Sequence, residues 1–153
     1  MHKMSFFSKK IIHWQKINGR NNLPWQAKSP YHVWISEIML QQTQVKTVIP
    51  YFHKFINSFP SIKSLAESNL DNVLASWSGL GYYTRAKNIH LTSKIIHEKY
   101  NGSIPNNYDQ LIELPGIGES TAGALLSLAF DEPGIILDGN VKRVLSRVLA
   151  NQS

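Results

Sequence analysis

The chain has 153 residues, of which 42% are hydrophobic, and 16 lysines and arginines against 10 aspartates and glutamates give it a net charge of +6. This length suits one domain with a real core, and the basic balance suits a polyanionic partner, although ordinary variation in charge explains it equally well. The absence of cysteine excludes a disulfide, a thiolate metal site and a cysteine nucleophile. No apolar run approaches the roughly 18 residues of a membrane span and no signal-peptide core is present, so an intracellular, cytoplasmic protein is expected.

Helical patterns dominate the chain. The predicted helices are Phe6–Ile17, Tyr31–Gln44, Val45–Phe59, Ser61–Glu67, Leu70–Trp77, Tyr83–Tyr100, Tyr108–Leu114, Glu119–Phe130 and Gly139–Ala150. No segment shows the alternation between hairpin turns that predicts strands. The sequence therefore predicts an all-α fold made of many short helices.

The second predicted helix contains an unusual carboxylate. Glu37 is the only acidic residue between Met1 and Ala66, a stretch with nine lysines and arginines, and its neighbours include Trp34 and Ile38. A buried carboxylate is costly unless it is paired or functional. Glu37 is therefore either a hydrogen-bonded core acid or a functional residue.

A proline–glycine turn, LPGIG, separates two of the later helices. Pro115 forces the turn, and Gly116 and Gly118 are expected to adopt φ angles that other residues resist. Free N–H groups at the start of the next helix can bind an anion, and on DNA that anion is a phosphate. The alternative is a plain helical hairpin punctuated by glycine.

A second carboxylate lies where the last helix begins. As an N-cap, Asp138 would contribute about 1 kcal/mol. The adjacent Gly139 allows a ligand to approach the backbone, and the Asn140 amide can position a water molecule or a carboxylate. Lys142, on the same helix, faces either phosphate or solvent.

Six motifs, in order from Leu23 to Leu145, resemble one family. They are LPWQ, VWISEIMLQQTQV, VIPYF, GLGYYTRAKN, LPGIGESTAGALLSLAF and LDGNVKRVL. Together they are similar to the helix-hairpin-helix, Gly/Pro, Asp superfamily of DNA glycosylases, and within it most to the MutY-type adenine DNA glycosylases. The resemblance implies a multi-helix glycosylase core with a helix-hairpin-helix motif over residues 1–153. It also implies a base-excision-repair enzyme that hydrolyses the N-glycosidic bond of adenine mispaired with 8-oxoguanine or guanine.

The resemblance assigns the chemistry to three residues. Glu37 matches the general acid that protonates a ring nitrogen of the flipped-out adenine, and burial would raise its pKa. Asp138 would stay ionised and stabilise the oxocarbenium ion of the sugar. Asn140 would support the attacking water and Asp138.

Other matches concern base flipping, the adenine pocket and phosphate contacts. Gln41, Gln42 and Tyr82 would fill the gap that the flipped base leaves in the duplex. The residues that match the adenine pocket are Trp25, Gln26 and Ser120, and the predicted phosphate contacts are Gly116, Gly118 and Lys142. Ser120 stands where bifunctional relatives such as endonuclease III have a nucleophilic lysine, which implies a monofunctional enzyme.

The chain departs from the family pattern after its last helix. The family continues with four cysteines that bind a [4Fe-4S] cluster and with a C-terminal domain that recognises 8-oxoguanine. Because the chain ends at Ser153 without a cysteine, we expect it to lack the cluster and the recognition domain, and to bind no metal except an alkali metal ion at the hairpin. Apolar residues of the first helix, Phe7, Ile11 and Trp14, would then lack a cover.

Three functions remain open. The first is the adenine glycosylase, and the second is a truncated, non-catalytic helix-hairpin-helix remnant that binds DNA. A thymine- or uracil-mismatch glycosylase on the same fold is the third, which the LQQTQV context disfavours. The expected partner is double-stranded DNA, with A:8-oxoguanine or A:G mispairs in the first case. We expect a monomer that binds no membrane.

Overall fold

The computed structural model describes residues 6–26 and 29–150, and within them it contains nine α-helices and no strand. The helices are α1 (Phe6–Asn18), α2 (Pro30–Leu40), α3 (Val45–Ser58), α4 (Ile62–Ala66), α5 (Leu70–Trp77), α6 (Thr84–Lys99), α7 (Tyr108–Ile112), α8 (Glu119–Ala129) and α9 (Gly139–Ala150). The predicted all-α class is confirmed, and each predicted helix is present with its ends shifted by a few residues at most. No helix in the described ranges is long and apolar enough to cross a membrane.

Helix α2 lies at the centre of the fold, where it contacts α3, α6 and α8. A helix that is apolar around most of its circumference must be surrounded by protein. Accordingly, seven of its eleven residues are buried: Tyr31, Val33, Trp34, Ile35, Ser36, Ile38 and Met39. Glu37 is half-buried and points away from this packed side.

Helix α2 ends at Leu40, earlier than the predicted end at Gln44. The buried guanidinium of Arg85 donates hydrogen bonds to the carbonyl oxygens of Ile38 and Met39, at 3.0 and 2.7 Å. The last carbonyls of a helix have no donor within the helix, and a cation there also matches the helix dipole. Arg85 therefore fixes the point at which α2 ends.

Helix α6, which carries Arg85, also fixes the proline–glycine turn between α7 and α8. Gly116 has a φ of 80°, and a Cβ added to it would lie 2.9 Å from the Cβ of Asn88. The hydroxyl of Thr92 donates to the carbonyl oxygen of Pro115 at 2.8 Å. Gly118 differs, because it is the N-cap of α8 with a φ of −92° and a ψ of 179°. Any residue adopts this extended conformation, so the prediction of an unusual φ at Gly118 is wrong.

The segment that leads into α9 lies directly against α8. A Cβ on Gly123 of α8 would collide with the carbonyl oxygen of Ile135, and a Cβ on Gly134 would collide with the carbonyl oxygen of Gly123. Only glycine permits two backbones to approach this closely. The glycine pair therefore sets the position of the chain just before Asp138.

Helices α1 and α9 lie at the edge of the fold. Helix α1 buries none of its residues. Phe7 and Ile11 line an apolar groove of about 240 Å³ with Val144 and Leu145 of α9, and Trp14 is 61% exposed. The predicted exposure of apolar side chains on the first helix is confirmed for Ile11 and Trp14, whereas Phe7 is half-buried.

Replacing Gly123 by alanine tests the contact between α8 and residues 134–137. We expect Gly123→Ala to lower the free energy of unfolding by about 1–3 kcal/mol, because the added methyl group forces the two backbones apart. Urea unfolding followed by circular dichroism measures the change. Gly139→Ala is the control, because a Cβ at Gly139 meets open space. Equal stabilities of the two variants would contradict the contact.

Candidate active site

A cleft between α2, α8 and the start of α9 holds both predicted catalytic carboxylates. It consists of two adjoining cavities of about 480 and 830 Å³, a size typical of small-molecule sites. The residues that line both cavities are Glu37, Leu40, Gln42, Ile136, Asp138 and Asn140. The structure therefore brings together residues that are about a hundred positions apart in the chain.

Helix α2 carries Glu37 into this cleft. Burial raises the pKa of the Glu37 carboxyl, and the negative charge of Asp138 raises it further. The carboxyl makes no hydrogen bond to another described residue, which disfavours a hydrogen-bonded core acid. A raised pKa favours the protonated form, which is the form that can donate a proton.

Asp138 caps α9 and also faces the cleft. Its Oδ1 accepts a hydrogen bond from the backbone N–H of Val141 at 2.8 Å, and its carbonyl oxygen accepts one from Lys142 at 2.9 Å. The N-terminal end of a helix is a favourable place for a carboxylate. The side chain is exposed, whereas that of Glu37 is half-buried. The two carboxyl groups therefore share one cleft but differ in environment.

The opposite wall of the smaller cavity is the first turn of α8, which contributes Ser120 and Thr121. Gln41, just after α2, reaches this wall, with its Nε2 3.4 Å from Thr121 Oγ1. Asn140 lies beside Asp138, and its Oδ1 accepts a hydrogen bond from Arg143 at 3.2 Å. Sequence reasoning missed Thr121, as well as the apolar lining residues, because such residues carry no chemical signal of their own.

Two of the three predicted base-flipping positions, Gln42 and Tyr82, have unusual backbones. Gln42 has a φ of 57° and lines the cleft. Tyr82 has a φ of 49°, is 62% exposed and does not line the cleft. Both side chains therefore lie on turns next to helix ends, where they can be presented to a partner.

The structure does not bring Trp25 and Gln26 to the cleft. Trp25 is buried and packs edge-to-face on Phe52, with ring centroids 5.3 Å apart. The Gln26 side chain bonds its own loop, accepting from the Leu23 N–H at 2.9 Å and donating to the Arg20 carbonyl at 2.7 Å. The loop instead contributes Arg20 to the larger cavity.

The predicted phosphate-binding residues lie at two places. Gly116 and Gly118 flank the turn before α8, whose first N–H groups are beside them. Lys142 is exposed on α9 and lies outside the cleft, whereas Arg143 lines it. Phosphate binding at these residues stays a prediction.

The chain offers little for a metal or cofactor. It has no cysteine for the iron–sulfur cluster that the family pattern implies. Within the described ranges, no group of three or more histidine, cysteine, aspartate or glutamate residues is placed to hold a metal ion. The residues present therefore do not fit the cluster.

The family model for HhH-GPD superfamily base excision DNA repair proteins matches residues 35–153, which include both cleft carboxylates and the proline–glycine turn. The chain belongs to the HhH-GPD superfamily. The matched residues also include the whole of α8 and α9, and they contain every described residue that lines the cleft except Arg20.

Relatives of this HhH-GPD chain include adenine DNA glycosylases of bacteria and mammals. That of Buchnera aphidicola subsp. Baizongia pistaciae is 61% identical over 142 residues, covering 92% of this chain and 40% of the relative. That of Homo sapiens is 37% identical over 158 residues, covering 97% of this chain and 29% of the relative. The chain thus spans less than half the length of these curated relatives.

Solved structures share the fold of the chain. A thermostable thymine-DNA glycosylase superposes with a TM-score of 0.85 at 25% identity, covering 92% of this chain and 65% of that one. Endonuclease III in a non-covalent DNA complex superposes with a TM-score of 0.79 at 23% identity, covering 94% and 68%. The helical core of the HhH-GPD chain is therefore that of known DNA glycosylases.

The raised pKa of Glu37 predicts how stability depends on pH. Between its unfolded and folded pKa values, the folded chain holds a proton that the unfolded chain has released, so the free energy of unfolding falls as pH rises through this window. Glu37→Gln has no such proton. We expect the variant to be more stable than the wild type at mildly alkaline pH, by about 1.4 kcal/mol for each unit of pKa shift.

Urea unfolding of both proteins across a pH series measures this difference. The advantage of the variant should vanish below the ordinary glutamate pKa of about 4.3, where Glu37 is protonated in both states. The control is Glu98→Gln, which removes an exposed carboxylate from α6. A Glu37→Gln advantage that is constant with pH would mean that Glu37 titrates alike in both states.

Proposed function

We propose that the chain is the catalytic core of an adenine DNA glycosylase that removes adenine mispaired with 8-oxoguanine or guanine from double-stranded DNA. The main support is that Glu37 and Asp138 share one cleft, where burial, together with the charge of Asp138, raises the pKa of Glu37. Two carboxyl groups with different protonation states are what glycosidic cleavage requires. The adenine specificity is supported by the identity to adenine DNA glycosylases.

In the proposed reaction, protonated Glu37 gives its proton to a ring nitrogen of the extruded adenine. The bond between the sugar C1′ and the base then breaks, and its electron pair leaves with the base. Asp138, ionised, stabilises the positive charge that develops on the sugar. A water molecule positioned by Asn140 adds to C1′, and its released proton returns to a carboxylate of the cleft.

The reaction is proposed to be monofunctional. A bifunctional reaction requires a nucleophilic amine that forms a Schiff base with C1′ of the sugar. Position 120 carries a serine, and Lys46, the one lysine among the described residues that line the cleft, belongs to the larger cavity, which Ser120 does not line. Water is therefore the proposed nucleophile, and the product is an abasic site in an unbroken strand.

Double-stranded DNA is the proposed partner. Arg20, Lys46 and Arg143 line the cleft, where they can neutralise phosphates. The first N–H groups of α8 offer a second, sequence-independent phosphate contact. The cleft is therefore lined by three basic residues as well as by Glu37 and Asp138.

One second candidate has a specific observation in its favour. The thymine-DNA glycosylase has the higher TM-score of the two solved structures described above, at 25% identity. Removal of thymine from a G:T mispair is therefore included as a substrate below.

Single-turnover assays on duplexes with A:8-oxoguanine, A:G and G:T pairs test the proposed function. We expect release of adenine from the first two, without strand cleavage until alkali is added. Glu37→Gln should slow release at least about 100-fold, since it removes the general acid, while DNA binding persists. Glu98→Gln is the matched control and should keep the wild-type rate.

Two results would overturn the proposal. Release of thymine in preference to adenine would favour the second candidate. A folded chain that binds DNA but releases no base would be the non-catalytic remnant. Circular dichroism and a DNA-binding titration of each protein distinguish these outcomes from a failure to fold.

A further inference from the structure

Two turns beside the cleft hold non-glycine residues in the left-handed backbone region. They are centred on Gln42, with a φ of 57°, and on Tyr82, with a φ of 49°. Such conformations cost on the order of 1 kcal/mol each and persist only where the surrounding structure holds them. Under the proposed function, these two side chains enter the gap left by the flipped base.

One guanidinium is bonded to both turns. Arg85 Nη1 donates to the carbonyl oxygen of Gln41 at 2.5 Å, and Nη2 donates to Thr43 Oγ1 and to the carbonyl oxygen of Gly81 at 3.2 Å each. Each of the two carbonyls belongs to the residue immediately before a left-handed position. Arg85 therefore holds the peptide groups whose orientation sets both unusual backbones.

The guanidinium is itself held from several sides. Nη1 also donates to the carbonyl oxygens of Ile38 and Met39 at the end of α2. Its Cζ lies 5.4 Å from the ring centroid of Trp77 and 5.5 Å from that of Tyr82, and the residue is only 8% exposed. The planar guanidinium of arginine presents several N–H donors in fixed directions and fits such a set of acceptors, whereas the compact ammonium group of lysine does not.

We propose that Arg85 is a positioning residue that fixes the Gln42 turn and the Tyr82 turn relative to each other, so that both side chains enter the duplex together. The inference rests on the proposed function. Arg85 does not line the cleft and acts through the two turns. Loss of the Arg85 guanidinium would therefore impair base extrusion more than DNA binding.

Base extrusion can be measured without base release. The Glu37→Gln chain is titrated into a duplex that carries 2-aminopurine, a fluorescent adenine analogue, opposite guanine, and unstacking of the probe raises its fluorescence. Arg85→Lys in the same background keeps the charge but loses the guanidinium. Lys94→Gln, which removes an exposed charge elsewhere on α6, is the control.

We expect Arg85→Lys to bind the duplex with unchanged Kd but without the fluorescence increase, and Lys94→Gln to behave as the parent. In the active chain, Arg85→Lys should slow adenine release about tenfold or more, the factor expected for one lost charge-assisted hydrogen bond. A fluorescence increase equal to that of the parent would overturn the inference. So would a loss of binding in proportion to the loss of fluorescence, because Arg85 would then serve binding or folding alone.

A milder variant covers the case in which Arg85→Lys does not fold. Thr43→Val removes a single acceptor of the guanidinium and keeps the shape of the side chain. It should reduce the fluorescence increase in part, and an unchanged signal would overturn the inference. If the wild type released no adenine and the parent gave no signal, the proposed function would fail and the inference would fall with it.

Discussion

The burial of α2 is the constraint on which the rest of the site depends. Because α3, α6 and α8 pack against this helix, most of its residues are buried, and its cleft-facing side remains open to a charged group. Glu37 occupies that side, and its partial burial follows from the same packing that stabilises the core. The contact of Gly123 with Gly134 then brings Asp138 to the other side of the cleft. Two packing contacts of α8, one with α2 and one with the segment before α9, therefore create a pair of carboxyl groups with different environments.

Helix α6 holds the three turns that are proposed to contact DNA. Arg85, Asn88 and Thr92 are spaced by three and four residues, so they lie on one face of the helix. The first of them holds the end of α2 and the turns at residues 41–43 and 81–82, and the other two contact the proline–glycine turn. Three turns that are proposed to meet DNA are therefore fixed by a single rigid element. Their relative positions can be kept even though each turn is exposed and two have unfavourable backbones.

Much of the fold could be predicted from sequence because helix boundaries are set locally. The bounds of α5 and α9 match the predicted ones, and Asp138 both caps α9 and faces the cleft, as its position after an apolar run indicated. The end of α2 could not be predicted, because it depends on a guanidinium more than forty residues away in sequence. No local pattern shows such a contact. For the same reason, the motif that contains Arg85 marked the family but did not reveal what the arginine holds.

In the candidate site, too, some residues could be predicted from the sequence and others could not. Glu37 and Asp138 could be proposed from their unusual settings and from the family resemblance, because isolated carboxylates are chemically conspicuous. The places of Trp25 and Gln26 depend instead on how one loop folds onto the core. In that loop the Trp25 ring packs on Phe52, and the Gln26 amide forms hydrogen bonds with backbone groups of the loop. Tertiary packing of this kind decides which side chains remain available to a ligand.

The central claim is that Glu37 and Asp138 interact across one cleft, where burial and the charge of Asp138 raise the pKa of Glu37. The most direct test is an NMR titration of the side-chain carboxyl carbons in the wild type and in Asp138→Asn, a variant that keeps a residue suited to cap α9. We predict that Glu37 titrates above the ordinary glutamate pKa of about 4.3. Asp138→Asn should lower the Glu37 pKa part of the way towards that value, because burial remains as the larger cause. A Glu37 pKa at the ordinary value, or one that Asp138→Asn leaves unchanged, would contradict the account.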